Sequence, residues 1–193
     1  MEVSFSLKVK YVSLVIAISG KPGAGKTTYA KEIANYFNLR YVSSGTLFRK
    51  LAEERGVSFL ELHKIAERDF EIDKAIDRKA LEEARRGNVV VDGHLAGWVL
   101  RDVADIKIFF TAPLEVRANR VAVRDNVPYE VALNELKARE ESNKLRAKVI
   151  YGFDLDDLSI FDVIFNTTRL SKEVISETLK TLISKFIEHR ASG

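Results

Sequence analysis

Two kinds of hydrophobic pattern alternate along the chain. Short, near-continuous apolar runs stand at Leu14-Val15-Ile16-Ala17-Ile18, Arg40-Tyr41-Val42, Val89-Val90-Val91, Ile106-Lys107-Ile108-Phe109-Phe110 and Phe161-Asp162-Val163-Ile164-Phe165. Runs of this type are strands buried on both faces, the condition of a parallel sheet held between helix layers. Between them, apolar positions recur at helical spacing. Ala30, Ile33, Ala34 and Phe37 follow the first run. A helical block lies between the second and third: Ser58 and Glu61 form a capping box ahead of Leu62, Ile65 and Ala66, and Ile72, Ile76, Ala80 and Ala84 carry the period on to Gly87. Two helices follow the fourth run, joined by a short connector around Asp125-Asn126-Val127, the second starting near Pro128. After the fifth run, Ser171 caps a helix with Ile175, Leu179, Leu182, Ile183 and Phe186 on one face. The pattern predicts a three-layer α/β fold with a five-stranded parallel sheet.

Composition narrows this little. The 193 residues fit one domain, and 46% hydrophobic with 31% charged residues describe a globular chain. No apolar run reaches the ~18 residues of a spanning helix, and Met1 to Lys10 lack a signal-peptide core. Without cysteine, disulfides and thiolate metal sites are excluded. The expected location is therefore the cytoplasm, with no membrane partner. Net charge is +3, but Lys and Arg are interleaved with Glu rather than gathered on one face, so no stable nucleic-acid partner is expected. No repeat or linker divides the chain.

The turn after the first strand carries the chemistry. Gly20-Lys21-Pro22-Gly23-Ala24-Gly25-Lys26-Thr27 satisfies G-x-x-x-x-G-K-[ST], with a strand before it and a helix after it. Glycines let backbone N–H groups turn inward onto phosphate oxygens. Lys26 then reaches the β- and γ-phosphates, and the Thr27 hydroxyl is placed for Mg²⁺. Asp92 ends the third strand beside this loop, where a carboxylate can hold a Mg²⁺-bound water. The residue after it is Gly93, not glutamate, so a water-activating base is missing from the place where many ATPases keep one. A guanine-reading N-K-x-D is imitated only by Asn143-Lys144-Leu145-Arg146, in which the deciding aspartate is arginine. Arg117, Arg120 and Arg124 fall at i, i+3 and i+7 on one helix face, and Arg139 and Arg146 on the next helix. Two such helices joined by a brief hinge form a lid over phosphates; the alternative is a solvated face pairing with Glu135, Glu140 and Glu141. A water-excluding lid favours transfer to a second substrate over hydrolysis.

These residues resemble the nucleoside monophosphate kinases: Ile18 to Thr28, with Thr28 extending the loop, then Val42-Ser43-Ser44-Gly45-Thr46-Leu47-Phe48-Arg49. The segments Asp92-Gly93-His94-Leu95-Ala96-Gly97-Trp98, Ala112-Pro113-Leu114-Glu115-Val116-Arg117, Arg139-Glu140-Glu141-Ser142, Ile150-Tyr151-Gly152 and Asn166-Thr167 narrow the resemblance to the archaeal type of cytidylate kinase, over about residues 13 to 170. The resemblance implies ATP–Mg²⁺-dependent phosphorylation of CMP or dCMP on the P-loop NTPase fold by a monomer or weak oligomer. It implies a core of residues 12–44, 88–116 and 160–193, a helical acceptor-binding region at 45–87 and an arginine-bearing lid at 117–150. Gly20 to Thr28 would hold ATP, with Asn166 and Thr167 against the adenine. Ser44, Gly45 and Arg49 would meet the acceptor, with Asp73 and Arg78 as base or sugar contacts, and Asp92, Gly93, His94 and Gly97 completing that side. Arg120, Arg124, Arg139 and Arg146 would clamp the transferring phosphoryl group. Plainer roles stand beside two of these: a helix cap for Asp73 and a surface ion pair for Arg78. Four positions depart from the family pattern: His94 for Arg, Thr46 for an acidic residue, and Asn143 and Ala147 for Glu and Tyr. At His94 the pattern's bidentate phosphate donor becomes a side chain that is neutral at pH 7 unless its pKa is raised, whereas His63 and His189 read as solvated. A kinase for a different nucleotide or dephospho-coenzyme A, and an NTPase module acting on RNA or protein, are the rival readings.

Overall fold

The computed structural model describes residues 13–192, so Met1 to Lys10, read above for a leader, lie outside the described residues. Five parallel strands form the sheet: β1 (Val15–Gly20), β2 (Arg40–Ser43), β3 (Val89–Asp92), β4 (Ile106–Thr111) and β5 (Val163–Asn166), in the order β2-β3-β1-β4-β5. The expected three-layer architecture is present. α1 (Lys26–Tyr36) and α8 (Lys172–Ser192) cover one face, where Ile33, Ile175, Leu179 and Ile183 pack on Ile16, Ile18 and Ile108. On the other face Val15, Ala17, Val89 and Val91 meet Ala80 and Ala84 of α4 (Glu71–Arg85) and Ala96 of the short α5 (Ala96–Val99). β1 is buried along its whole length because successive side chains enter opposite, equally covered faces.

The chain visits β2 and β3 on one side of β1, then crosses to β4 and β5 on the other. This reversal opens a crevice beyond the carboxyl ends of β1 and β3. Register sets what stands at its mouth. Ile18 pairs with Asp92 and with Ile108, so the phosphate loop leaves the sheet beside the Asp92 carboxylate.

Two helical assemblies flank the crevice. α2 (Ser44–Glu54), α3 (Phe59–Ala66) and the first turns of α4 share a small core of Phe48, Ala52, Leu62, Ala66, Ile72 and Ile76. The Ser58–Glu61 capping box opens α3 as its sequence requires. α6 (Leu114–Asp125) and α7 (Tyr129–Tyr151) pack through Ala118, Val121, Ala132 and Leu136, and the connector turns at Asn126 with φ of 53°. The fifth strand begins later than its apolar run. Ladder pairing starts at Val163, while Phe161 packs with Trp98 and Phe109 beneath the crevice.

Candidate active site

The phosphate loop is shaped by close approach. Gly20 has φ of 152°, and a Cβ there would stand 2.3 Å from the Phe110 carbonyl oxygen. Gly25, at φ 89°, precedes α1 without any side-chain cap, so the first turn of the helix is left to present N–H groups to an anion. Lys26 begins that helix. Desolvation lowers its pKa below the usual lysine value, Asp92 opposes the shift, and Arg139, Arg124 and Arg49 add to it. Several cations thus converge on one place, an arrangement that suits a polyanion.

Asp92 is 1% exposed, and its Oδ2 accepts from the Thr27 hydroxyl at 2.7 Å and the Tyr41 hydroxyl at 3.0 Å. Burial first, then the Asp92 charge, raises the Tyr41 pKa to about 12. Asp92 Oδ1 is buried with no hydrogen-bond partner among the described residues. Tyr41 was not singled out from sequence, since a tyrosine in a strand reads as packing.

Opposite the loop, Ser44, Gly45 and Arg49 of α2 line the cleft, together with Gly93, His94 and Asp73. Gly93 allows the closest approach, since a Cβ there would meet Ser44 Oγ at 2.7 Å. From α6 and α7 come Arg124, Arg139 and Arg146. Arg139 lies over the Phe59 ring at 4.7 Å and pairs with Glu135 at 3.4 Å, while Arg49 lies over the same ring at 5.0 Å. Phe59 also escaped the sequence reading. Arg124 is the more exposed and pairs with Asp125 at 2.6 Å. Arg146 is 3% exposed and stands 3.3 Å from Asp73, whose pKa burial raises and Arg146 lowers.

Several expected residues stand elsewhere or in another state. Arg78 is exposed and pairs with Glu71 at 3.6 Å; it does not line the cleft, so the surface ion pair is its observed role. Gly97 is buried behind the cleft, donating its N–H to Ser19 Oγ at 2.7 Å, and a Cβ there would collide with Phe161. Arg120 also stands outside the cleft: it donates to Thr167 Oγ1 at 2.7 Å and to Thr167 O at 2.6 Å. Thr167 Oγ1 in turn donates to the Ala24 carbonyl at 3.2 Å, so Arg120 ties α6 to the donor end of the phosphate loop. Asn166 sits beside it at the end of β5, and Lys21 faces Glu140 at 4.0 Å.

His94 lines the cleft in surroundings that disfavour an imidazolium. Its Nδ1–H donates to the Gly20 carbonyl at 3.1 Å, and desolvation with the nearby Lys26 charge lowers its pKa to about 3. A neutral ring bonded to the phosphate loop agrees with the reading that this position lacks the bidentate cation of the family pattern. His63 corrects the sequence reading. It is 6% exposed, lines the cleft, and lies with Nδ1 3.1 Å from Arg146 Nη2. Its polar helical neighbours in sequence gave no sign of this, because α3 turns that face inward onto Phe48 and Phe59. Arg117, read from sequence as sharing the lid face with Arg120 and Arg124, is 2% exposed and donates to the carbonyls of Ala112 at 2.8 Å and Pro22 at 3.0 Å while pairing with Glu140. It braces the phosphate loop from behind.

Among the described residues, no cluster of three or more His, Cys, Asp or Glu side chains could hold a metal unaided, and no helix is long and apolar enough to cross a membrane. Solved structures share the fold. A protein of uncharacterised function from Eubacterium ventriosum superposes with a TM-score of 0.68 at 20% identity, covering 89% of this chain and 98% of that one. Shikimate kinase from Acinetobacter baumannii, solved with shikimate, does so with a TM-score of 0.59 at 16% identity, covering 90% and 94%. Sequence relatives are nearer. A cytidylate kinase of Ignicoccus hospitalis is 53% identical over 88% of this chain and 98% of that protein. One of Staphylothermus marinus is 49% identical over 91% and 99%. The description of the cytidylate kinase-like family matches residues 15–169, a span holding the phosphate loop, helices α2 to α4 and both arginine-bearing helices. On that match, and on relatives aligned over nearly their whole length, the chain belongs to the cytidylate kinase-like family.

Proposed function

We propose that this protein transfers the γ-phosphoryl group of ATP to CMP or dCMP, giving ADP and the cytidine diphosphate. The observation that carries the reading is the convergence of Lys26, Arg124 and Arg139 between the phosphate loop and the acceptor wall. The N–H groups opening α1 and the Lys26 ammonium hold the β- and γ-phosphates, and Thr167 and Asn166 border the adenine. Ser44, Gly45 and Arg49 hold the acceptor phosphate in line with the γ-phosphorus. That acceptor oxygen is already an anion, so no general base is required; positioning and charge stabilisation supply the rate. Arg124 and Arg139 meet the charge that spreads over the equatorial oxygens, whereas Arg146, buried against Asp73 and His63, faces the acceptor and not the transferring group.

Mg²⁺ fits the same corner. The Thr27 hydroxyl would ligate it directly and the unpartnered Asp92 Oδ1 through water, with phosphate oxygens supplying most remaining ligands. When bound, it screens charge between the β- and γ-phosphates. Residues 45–87 and 117–150 act as the acceptor-binding region and the lid, and their closure excludes water from the transfer. The reading places the enzyme in the cytoplasm as a monomer or weak oligomer, without a nucleic-acid partner. It is tested by following ADP release from ATP–Mg²⁺ with and without CMP. Turnover that depends on CMP and yields equal CDP supports it; equal ATP hydrolysis without any acceptor would favour an NTPase.

A further inference from the structure

The acceptor end of the cleft holds a buried cluster that phosphoryl transfer does not use. His63 from α3, Asp73 from α4 and Arg146 from α7 meet there, at 6%, 8% and 3% exposure, and all three line the cleft. Arg146 Nη2 lies 3.1 Å from His63 Nδ1. A guanidinium can only donate, so Nδ1 is the acceptor and the imidazole proton sits on Nε2. Burial, reinforced by the charges of Arg146 and Arg139, lowers the His63 pKa to about 3, which keeps this neutral form at working pH. The ring is held 4.6 Å from Phe48 and 4.9 Å from Phe59, centroid to centroid.

Its Nε2–H is buried without a hydrogen-bond partner among the described residues. The same is true of Asp73 Oδ2 and of Arg146 Nε and Nη1; Asp73 and Arg146 attract each other at 3.3 Å but outside hydrogen-bond geometry. Buried donors and a buried acceptor held side by side are costly unless a ligand edge meets them. The edge that fits has a donor followed by acceptors.

We propose that His63, through its Nε2–H, determines base specificity by donating to the ring acceptors of a cytosine edge while Asp73 accepts from the exocyclic amine. The inference rests on the CMP reading above and assigns the residues that enforce it. Cytosine presents an amine at C4, then acceptors at N3 and O2; the cluster presents a carboxylate oxygen, then the N–H groups of His63 and Arg146. Uracil carries O4 and N3–H instead, which sets oxygen against carboxylate and N–H against N–H. Adenine repeats the amine and the adjacent ring acceptor but has C2–H in place of O2, leaving one buried donor unmet. His63 touches the base and not the reacting atoms, so its loss acts on acceptor binding.

The test uses the full chain at saturating ATP–Mg²⁺, with kcat and KM measured for CMP, UMP and AMP. His63→Phe keeps a ring between Phe48 and Phe59 and removes the donor. The expected result is a CMP kcat/KM about ten- to hundredfold lower, carried by KM, with UMP changed less than about threefold. His63→Gln, which returns an N–H at similar reach, should recover most of the CMP/UMP ratio. An unchanged ratio in His63→Phe, or equal losses for both nucleotides, would overturn the assignment. Two-bond ¹H–¹⁵N correlation spectra of the wild-type histidines need no variant to fold. They should show the Nε2–H tautomer at neutral pH, its proton moving downfield with CMP and not with UMP. An Nδ1–H tautomer, an imidazolium or silence on adding CMP would equally overturn it. A wild-type chain preferring another acceptor defeats the proposed function. A CMP preference that survives in His63→Phe defeats this inference alone.

Discussion

Arg117 is the side chain whose removal should register in stability and catalysis together. Its guanidinium is 2% exposed and donates to the carbonyls of Ala112 at 2.8 Å and Pro22 at 3.0 Å, with Glu140 as its counter-ion. Arg117→Met keeps the apolar stem and removes every polar contact. Hydrogen bonds from charged donors contribute ~1.5–3 kcal/mol each, and their loss leaves two carbonyls unmet. Glu140 is 24% exposed with Lys21 at 4.0 Å, so it can turn to solvent and adds little. The two bonds therefore set the destabilisation at about 3–6 kcal/mol. In a chain of this size each kcal/mol moves Tm by ~2–4 °C, so Tm should fall by roughly 6–24 °C. Pro22 belongs to the phosphate loop, so ATP KM should rise while acceptor KM holds. Calorimetric melting and initial rates read both effects. Arg101→Met serves as control, since Arg101 and its partner Asp102 are both more than half exposed and their pair contributes less than ~1 kcal/mol. A Tm within about 2 °C of wild type, or a lower Tm with ATP KM untouched, would refute the bracing role.

Three further outcomes follow from the site. Lys26→Ala should lower turnover at least ~10²-fold, about 3 kcal/mol of barrier, with its melting curve intact, since Lys26 faces the cleft; near-normal turnover would remove it from the site. Arg124→Ala and Arg139→Ala should lower kcat far more than they weaken ATP binding, measured by rapid quench and calorimetry, because their contacts form in the closed complex; unchanged kcat in both would return them to a solvated surface role. The folded pKa of His94, lowered to about 3, lies below its unfolded value of about 6.5, so it contributes stability that is complete above ~6.5 and lost as pH falls toward 3. Acceptor KM should accordingly be flat between about pH 6 and 8, and an acid-induced loss of Tm should shrink in His94→Gln; a KM that climbs through ~6.5 would restore the imidazolium.

Much of this molecule is legible in its sequence, for identifiable reasons. A strand buried on both faces has to be apolar throughout, so β1, β3 and β4 announce themselves. The phosphate loop is equally plain, because backbone wrapped around phosphate admits only glycine at Gly20, where Phe110 leaves no room for a Cβ. Caps such as Ser58–Glu61 are local interactions and can be read locally. What stayed hidden depends on tertiary contact. Arg117, Arg120, Arg124, Arg139 and Arg146 look alike in sequence, yet one braces the loop, one ties down Thr167 and three line the cleft. Whether a helical arginine is solvated or buried depends on what the opposite helix presents. His63 and His94 escaped for the same reason. Their protonation follows from burial and from the charges of Arg146 and Lys26, more than sixty residues away along the chain in each case. α5 is a single short turn set by Gly97 packing on Phe161, too brief for periodicity to reveal.

The central claim is that the cleft selects a cytosine nucleotide as phosphoryl acceptor. It is met most directly by kcat/KM at fixed ATP–Mg²⁺ for CMP, dCMP, UMP, AMP, GMP and dephospho-coenzyme A. A site built around the Asp73, His63 and Arg146 hydrogen-bonding groups should prefer CMP or dCMP, with UMP and the purine nucleotides at least ~10-fold poorer. AMP, UMP or dephospho-coenzyme A as best acceptor would contradict the claim while leaving the kinase fold and its phosphate chemistry in place.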